Sequence, residues 1–353
     1  VTAIGTRAKF IAGGSLAGGT LAGLAIAFAS PQHLSWMKSA ERLAPENVAA
    51  YERPYGAGAP WNVPVARLER HPESKALAEM LWNGAPAARP GNFNLSFEEY
   101  TYPVYEAAEA TGWYPVKTDW NSNIDGTKIP WNDEWKAASG TDSQAIVLDP
   151  ESGREWNLWQ VSFDGETVQA RNGSLIEGDY RTYEGGNQPS RGSGIQYLAM
   201  LVRPEEIAQG RIRHALSMPI RNTDGSRFVP PATKLEHPGR PPGIPTGTRF
   251  ALDVTDAEID EWLASLPPEL PEQTRNSARI IAEALRDYGW FITDSSGGAH
   301  FQFEDRASAG SQWDALGLGL IDVEWKSYPT DLLDGLLSAD RIYAVLPGKS
   351  GAR

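Results

Sequence analysis

The segment Glu155-Trp156-Asn157-Leu158-Trp159-Gln160 carries residue types suited to chemistry on a sugar. Side chains alternate between faces along an extended chain, so Glu155, Asn157 and Trp159 share one face and Trp156, Leu158 and Gln160 the other. A carboxyl group can act as acid, base or nucleophile at a glycosidic bond, and an indole can stack on a pyranose. The same pattern also suits an ordinary sheet surface. Hydrolysis needs a second carboxyl group across the bond. Asp294 is the first candidate, because it ends a strand just before the turn Ser295-Ser296-Gly297-Gly298. Asp142, Asp149 and Glu304 also stand at strand ends and stay open as partners. Each equally fits the turn-closing role that Asp favours.

A second group lies in residues 193–220. Tyr197 to Val202 reads as buried strand or core turn, and Pro204 to Gly210 as one short helix. Arg211 to Ile220 then reads as a strand with Ile212, His214, Leu216 and Met218 on one face. That alternation favours a buried, hydrogen-bonded His214. The alternative sets it beside Arg203 or Glu205 as a proton donor or sugar contact. Trp113, Trp120, Trp131 and Trp135 cluster among Asn, Asp and Lys, a sugar-binding combination as well as an ordinary core one. The candidate substrate contacts are therefore Trp159, Asn157, Arg203, His214 and Trp131.

Other chemistries find little support. The five histidines include no pair at ligand spacing and no His-Glu-x-x-His, so no catalytic metal is expected. Asn121-Ser122-Asn123-Ile124-Asp125-Gly126 begins like a calcium loop, but its twelfth position is Asn132 rather than Glu; a structural calcium is a minor option and no other cofactor is expected. Gly-x-Ser-x-Gly and glycine-rich nucleotide motifs are absent. With 45 acids against 32 bases the net charge is −13, which argues against nucleic acid as a partner. The absence of cysteine excludes disulfides and thiolate chemistry.

These groups need a scaffold. Arg7 and Lys9 precede a largely apolar stretch from Phe10 to Ala29 that ends Ala-Phe-Ala, the pattern of a signal peptide. Residues 1–29 are thus expected to be cleaved, or else kept as a membrane anchor, the one expected contact with a membrane. Residues 30–95 read as a Pro/Ala/Gly-rich, less compact extension with one short helix, docked through Trp36, Trp61 and Trp82. Residues 96–347 read as many short strands between turns, including 145–148, 156–162, 249–252, 290–294 and 299–303. Thr255-Asp256-Ala257-Glu258 is a capping box opening one helix, and 271–288 form a second, with Gly289 just past its end. The expected fold is mainly β: an antiparallel sandwich or jelly roll with two or three packed helices.

Several segments carry a resemblance. They are Asp142-Ser143-Gln144-Ala145-Ile146-Val147-Leu148-Asp149-Pro150, Glu155 to Gln160, Gly210-Arg211-Ile212-Arg213-His214-Ala215-Leu216, Gly247-Thr248-Arg249-Phe250, and Tyr288-Gly289-Trp290-Phe291-Ile292-Thr293-Asp294. Over residues 95–325 the chain resembles a group of uncharacterised exported bacterial proteins, common in actinobacterial genomes. The resemblance implies export and a β fold and carries no activity. Such proteins usually show histidine soon after the first aspartate; here that place holds Gln144. The Glu155 segment is also similar to the nucleophile strand of family-12 β-sandwich glycosidases. The expectation is an exported glycan-active protein, secreted or in the cell envelope, that hydrolyses polysaccharide or envelope glycan through a carboxyl pair. The alternative is a non-catalytic carbohydrate-binding, envelope or matrix protein.

Overall fold

The computed structural model describes residues 43–44 and 52–348, apart from 121, 177 and 186–189. The expected signal peptide lies outside the described residues. With 28% strand and 21% helix the chain is mainly β, and the described residues form several sheets, none closed, and five helices. Among the described residues no helix is long and apolar enough to cross a membrane.

Three sheets have four strands each. The first runs β2 (Val104–Glu106), β5 (Ala145–Asp149), β6 (Arg154–Trp159), β9 (Asn172–Leu175). The second runs β4 (Lys128–Trp131), β3 (Gly112–Thr118), β8 (Val168–Ala170), β7 (Ser162–Phe163). The third runs β10 (Leu216–Ile220), β14 (Trp290–Ser295), β13 (Arg249–Leu252), β18 (Ile342–Val345). Parallel pairs occur in each, so the pairing is mixed rather than wholly antiparallel. Two-stranded pairs complete the set: β1 (Phe93–Ser96) with β15 (Ala299–Gln302), β11 (Thr223–Phe228) with β12 (Ile244–Thr246), and β16 (Ile321–Val323) with β17 (Lys326–Tyr328).

The first sheet is buried on both faces, and this decides what its side chains can do. From β5, Ala145 and Val147 join Trp156 and Leu158 of β6 against Val116, Ile129 and Trp131 of the second sheet. Ile146 and Leu148 point the other way, into a core built on Tyr102, Tyr197, Leu198 and Leu201. β5 is accordingly a near-continuous apolar run. Glu155 and Asn157 share that second face, which the 195–201 segment covers.

The helices are α1 (Ser74–Gly84), α2 (Pro204–Ala208), α3 (Asp256–Ser265), α4 (Glu272–Asp287) and α5 (Arg306–Ala315). The Thr255 capping box forms as expected, its hydroxyl accepting from the Glu258 N–H. α4 turns Ala278, Ile281, Ala282 and Leu285 to the largest core. Gly289 follows with φ 68°, and a Cβ there would meet the Phe250 carbonyl oxygen at 1.9 Å. A side chain at that place would push α4 off β13. From Glu52 onward the expected loose extension is packed into the body: Tyr55, Ala59, Trp61, Ala78, Leu81 and Ala85 are buried, and the Trp82 ring meets Phe93 edge-on at 5.8 Å. Trp61 and Trp82 dock the segment; Trp36 lies outside the described residues.

Candidate active site

A cavity of about 370 Å³ opens where the ends of β5, β14 and β15 converge. Its chemistry comes from Asp142 and Gln144, Asp294, His300 and Gln302, with Tyr100 and Tyr102 beside them. Asp142 sits one turn before β5. Its carbonyl accepts from the Gln160 N–H at 2.8 Å and the Ser143 carbonyl from the Val161 N–H at 3.0 Å, so the β5–β6 pairing continues past its formal end. Ser143 and Gln160 both take left-handed φ, 39° and 50°. Non-glycine residues hold that conformation only where the surroundings impose it, commonly at functional sites. Asp294 is carried by β14, whose end is tied across to β10 by Ser296 N–H donating to Ile220. β15 brings His300 and Gln302.

Asp142 is held by two donors: the Trp159 indole N–H reaches one oxygen at 3.2 Å and the Gln144 amide the other at 3.2 Å. Asp294 has a different environment. Burial raises its pKa well above the ordinary 3.8, and the adjacent Glu236 carboxyl raises it further by charge and by hydrogen bond, against the opposing pull of Arg191. Glu236 is itself fixed, accepting from the Ser295 N–H at 2.7 Å and the Ser295 hydroxyl at 2.6 Å. His300 is pushed down to about 4 by burial, against the Tyr100 carbonyl, so its imidazole is neutral near pH 7.

Behind the cavity, Arg191 is 1% exposed. It donates to the Tyr102 hydroxyl at 3.1 Å, to Gln302 Oε1 at 3.0 Å and to the carbonyls of Gln196 and Tyr197. Ser217 donates to the same Gln302 oxygen at 2.6 Å, and the Gln302 amide donates to the Tyr100 carbonyl at 2.7 Å. Tyr102 stacks on Tyr197 at 4.3 Å between centroids. The wall is thus a closed polar network, worth its desolvation only because each member is paired.

Of the expected site residues, Asp294 lines the cavity and Trp159 reaches it through Asp142. Glu155 does not line it. It is 0% exposed and accepts from the Tyr55 hydroxyl at 2.6 Å and the Asn157 amide at 2.8 Å. Burial raises its pKa despite those bonds. Asn157 faces the same interior, where its oxygen accepts from the Tyr197 N–H at 2.9 Å and from the Ser190 hydroxyl. The face read as a sugar cleft is therefore covered, and the carboxyl that the structure brings to the cavity with Asp294 is Asp142.

Arg203 and His214 belong to a separate buried group. Arg203 pairs with Glu304 at 2.8 Å, and His214 Nε2 meets Glu206 at 2.9 Å while Nδ1 faces the Ala215 carbonyl at 2.8 Å. The strand at His214 starts only at Leu216, because residues 211–215 turn to make those bonds. Trp131 is 2% exposed, in the core between the first two sheets. In the loop that begins like a calcium site Asp125 accepts from the Thr118 N–H and hydroxyl, and Asn123 bridges to Leu175. Among the described residues no group of three or more His, Asp or Glu side chains is placed to hold a metal ion.

Glu236, Arg191, His300 and Gln302 escaped the reading of the sequence. The first two come from loops without periodicity, and His300 and Gln302 looked like the polar face of an ordinary strand. One signal was present: the segments 142–150 and 288–294, set apart by the resemblance, each deliver their acid to this one cavity. No protein-family model, curated protein or solved structure matches the chain.

Proposed function

We propose that the chain is a glycan-active hydrolase of the exported or cell-envelope space, built on a β-sandwich-like pair of sheets. Asp294 is the general acid and Asp142 the base or nucleophile. The observation that carries this reading is the cavity that brings the Asp142 and Asp294 carboxyl groups together. Burial and the neighbouring Glu236 raise the Asp294 pKa, which favours its acid form, while Asp142 in the same cavity accepts from the Gln144 amide and the Trp159 indole. A carboxyl group with a raised pKa, sharing a cavity with a second carboxyl group, is what cleavage of a glycosidic bond requires. In that reaction Asp294 protonates the departing glycosidic oxygen. Asp142 acts on the anomeric carbon from the other side, directly or through water. The neutral His300 and the Gln302 amide hold sugar hydroxyls, and Trp159 gives a ring beside Asp142.

The test is release of reducing ends from a panel of polysaccharides. Asp294→Asn and Asp142→Asn should each lower turnover about 10²- to 10⁴-fold with folding intact. The wild-type rate should fall as pH rises through the Asp294 pKa, because the acid is then lost. Cleavage of no glycan on the panel, or full activity in both variants, overturns the reading. In that case the exposed tryptophans beside the cavity leave the non-catalytic carbohydrate-binding role.

A further inference from the structure

We infer that the surface running from Asp142 over Trp159 to Trp120 is a subsite for an anionic sugar, a uronate unit of the glycan, read by Arg171. This rests on the glycan reading of the cavity and adds to it the charge class of the substrate.

The surface is continuous with the cavity because the Trp159 indole N–H is bonded to Asp142, a cavity residue. That bond fixes the ring at the mouth. Trp120 meets Trp159 at 5.2 Å between centroids with the planes 47° apart, and Trp120 is 56% exposed. Two indoles set at an angle form a shallow, rigid trough, a shape that fits the C–H face of a pyranose. An isolated exposed tryptophan is unremarkable on a protein surface. A tilted pair anchored to a cavity carboxylate is a more specific arrangement.

Arg171 stands over both rings, its guanidinium carbon 5.6 Å from each centroid. Its backbone is held too, the Arg171 N–H donating to the Trp159 carbonyl at 3.1 Å. Its side chain has one long contact, 3.5 Å to the Gln160 amide oxygen, and among the described residues it enters no ion pair. On a chain of net charge −13 acids are plentiful, and other exposed arginines such as Arg70, Arg89 and Arg227 have taken one. Arg171 instead lies over the two rings with no carboxylate partner among the described residues. A planar guanidinium offers two parallel N–H groups that match a carboxylate. The ligand that uses rings and fork together is a pyranose bearing a carboxylate.

The experiment uses the full chain carrying Asp294→Asn, so that ligands persist. A panel of uronate tetrasaccharides, each paired with its methyl ester, is titrated calorimetrically. The ester keeps the ring and removes the charge. At least one acid form should bind about tenfold or more tighter than its ester, the size of one charge-assisted contact. Adding Arg171→Gln should abolish that preference while leaving ester binding in place, and Arg171→Lys should restore part of it. Trp120→Ala should weaken acid and ester alike. Equal binding of acid and ester, a preference that survives Arg171→Gln, or no binding of any uronate overturns the inference. Reducing-end release by the wild type on the same panel separates the two claims. Glycan cleavage without an Arg171-dependent preference removes the subsite and keeps the hydrolase. Arg171-dependent binding without cleavage by the wild type removes the hydrolase and keeps the subsite.

Discussion

Replacing Glu155 by Gln and by Ala distinguishes a carboxyl group that holds the fold from one that touches substrate. Gln keeps the shape but has one acceptor oxygen where the carboxylate has two. One oxygen of Glu155 now accepts from Tyr55 at 2.6 Å and the other from Asn157 at 2.8 Å. The amide can keep the Asn157 bond and turn its N–H₂ to the phenol oxygen, so the expected cost is about 1 kcal/mol. Ala strands both donors and leaves a void in a site that is 0% exposed, at a cost on the order of 3 kcal/mol or more. The pH dependence adds a sharper check. Burial raises the Glu155 pKa above its ordinary 4.5, so the folded chain holds the proton more tightly than the unfolded chain. Wild-type stability therefore falls as pH rises from 4.5 through the folded value. Gln does not titrate, so its disadvantage should be largest below that window and shrink across it. Urea unfolding at a series of pH values measures this, with turnover followed on the same samples. Unchanged stability in both variants together with a hundredfold loss of turnover would refute the reasoning and return Glu155 to the substrate.

Two further substitutions test the buried polar groups away from the cavity. Asp305 caps α5 by accepting from the Ala307 N–H at 2.7 Å, and burial pushes its pKa up to about 7 from 3.8. Wild-type stability should thus fall as pH rises from about 4 to about 7, by about 1.4 kcal/mol per unit inside that window. Asp305→Asn keeps the cap and should remove the slope; an identical slope in both proteins would show that Asp305 titrates normally. At His214 burial alone would lower the pKa, but the charge and hydrogen bond of Glu206 and the Ala215 carbonyl raise it above 6.5. Its contribution is full below 6.5 and is lost as pH rises through the folded value. His214→Ala should cost about 1–3 kcal/mol at pH 6, and an unchanged melting temperature would remove it from the core.

What was legible in the sequence follows from which signals are local. The Thr255 capping box, the apolar stripe of α4 and Gly289 after it need only a few neighbouring residues, and each forms as read. The strand at Arg249–Leu252 was legible for the same reason. α5 was not, because its Ala, Ser and Gly positions blur any stripe; its buried residues are Ala309, Gln312 and Trp313. Alternation along β6 correctly grouped Glu155 with Asn157 and Trp159, but periodicity cannot say what covers a face. The 195–201 segment covers the Glu155 end and leaves Trp159 at the edge. Glu236 could not be read at all. It lies among prolines between β11 and β12 and meets Asp294 only because Gly192 leaves room; a Cβ there would strike its side chain at 2.1 Å.

The same geometry explains how one strand end can hold a proton while a buried cation sits nearby. Arg191 opposes the raised pKa of Asp294, yet its hydrogen bonds go to neutral groups: Tyr102, Gln302, Ser217 and backbone carbonyls. Its charge acts on Asp294 across space, whereas Glu236 acts by contact. Ionised, Asp294 would be a buried charge beside the Glu236 carboxyl, facing a cation whose own hydrogen bonds go elsewhere. The acid is thus kept by its carboxyl neighbour, and the arginine limits how tightly it is kept. A donor too reluctant to release its proton would be as useless as one already ionised.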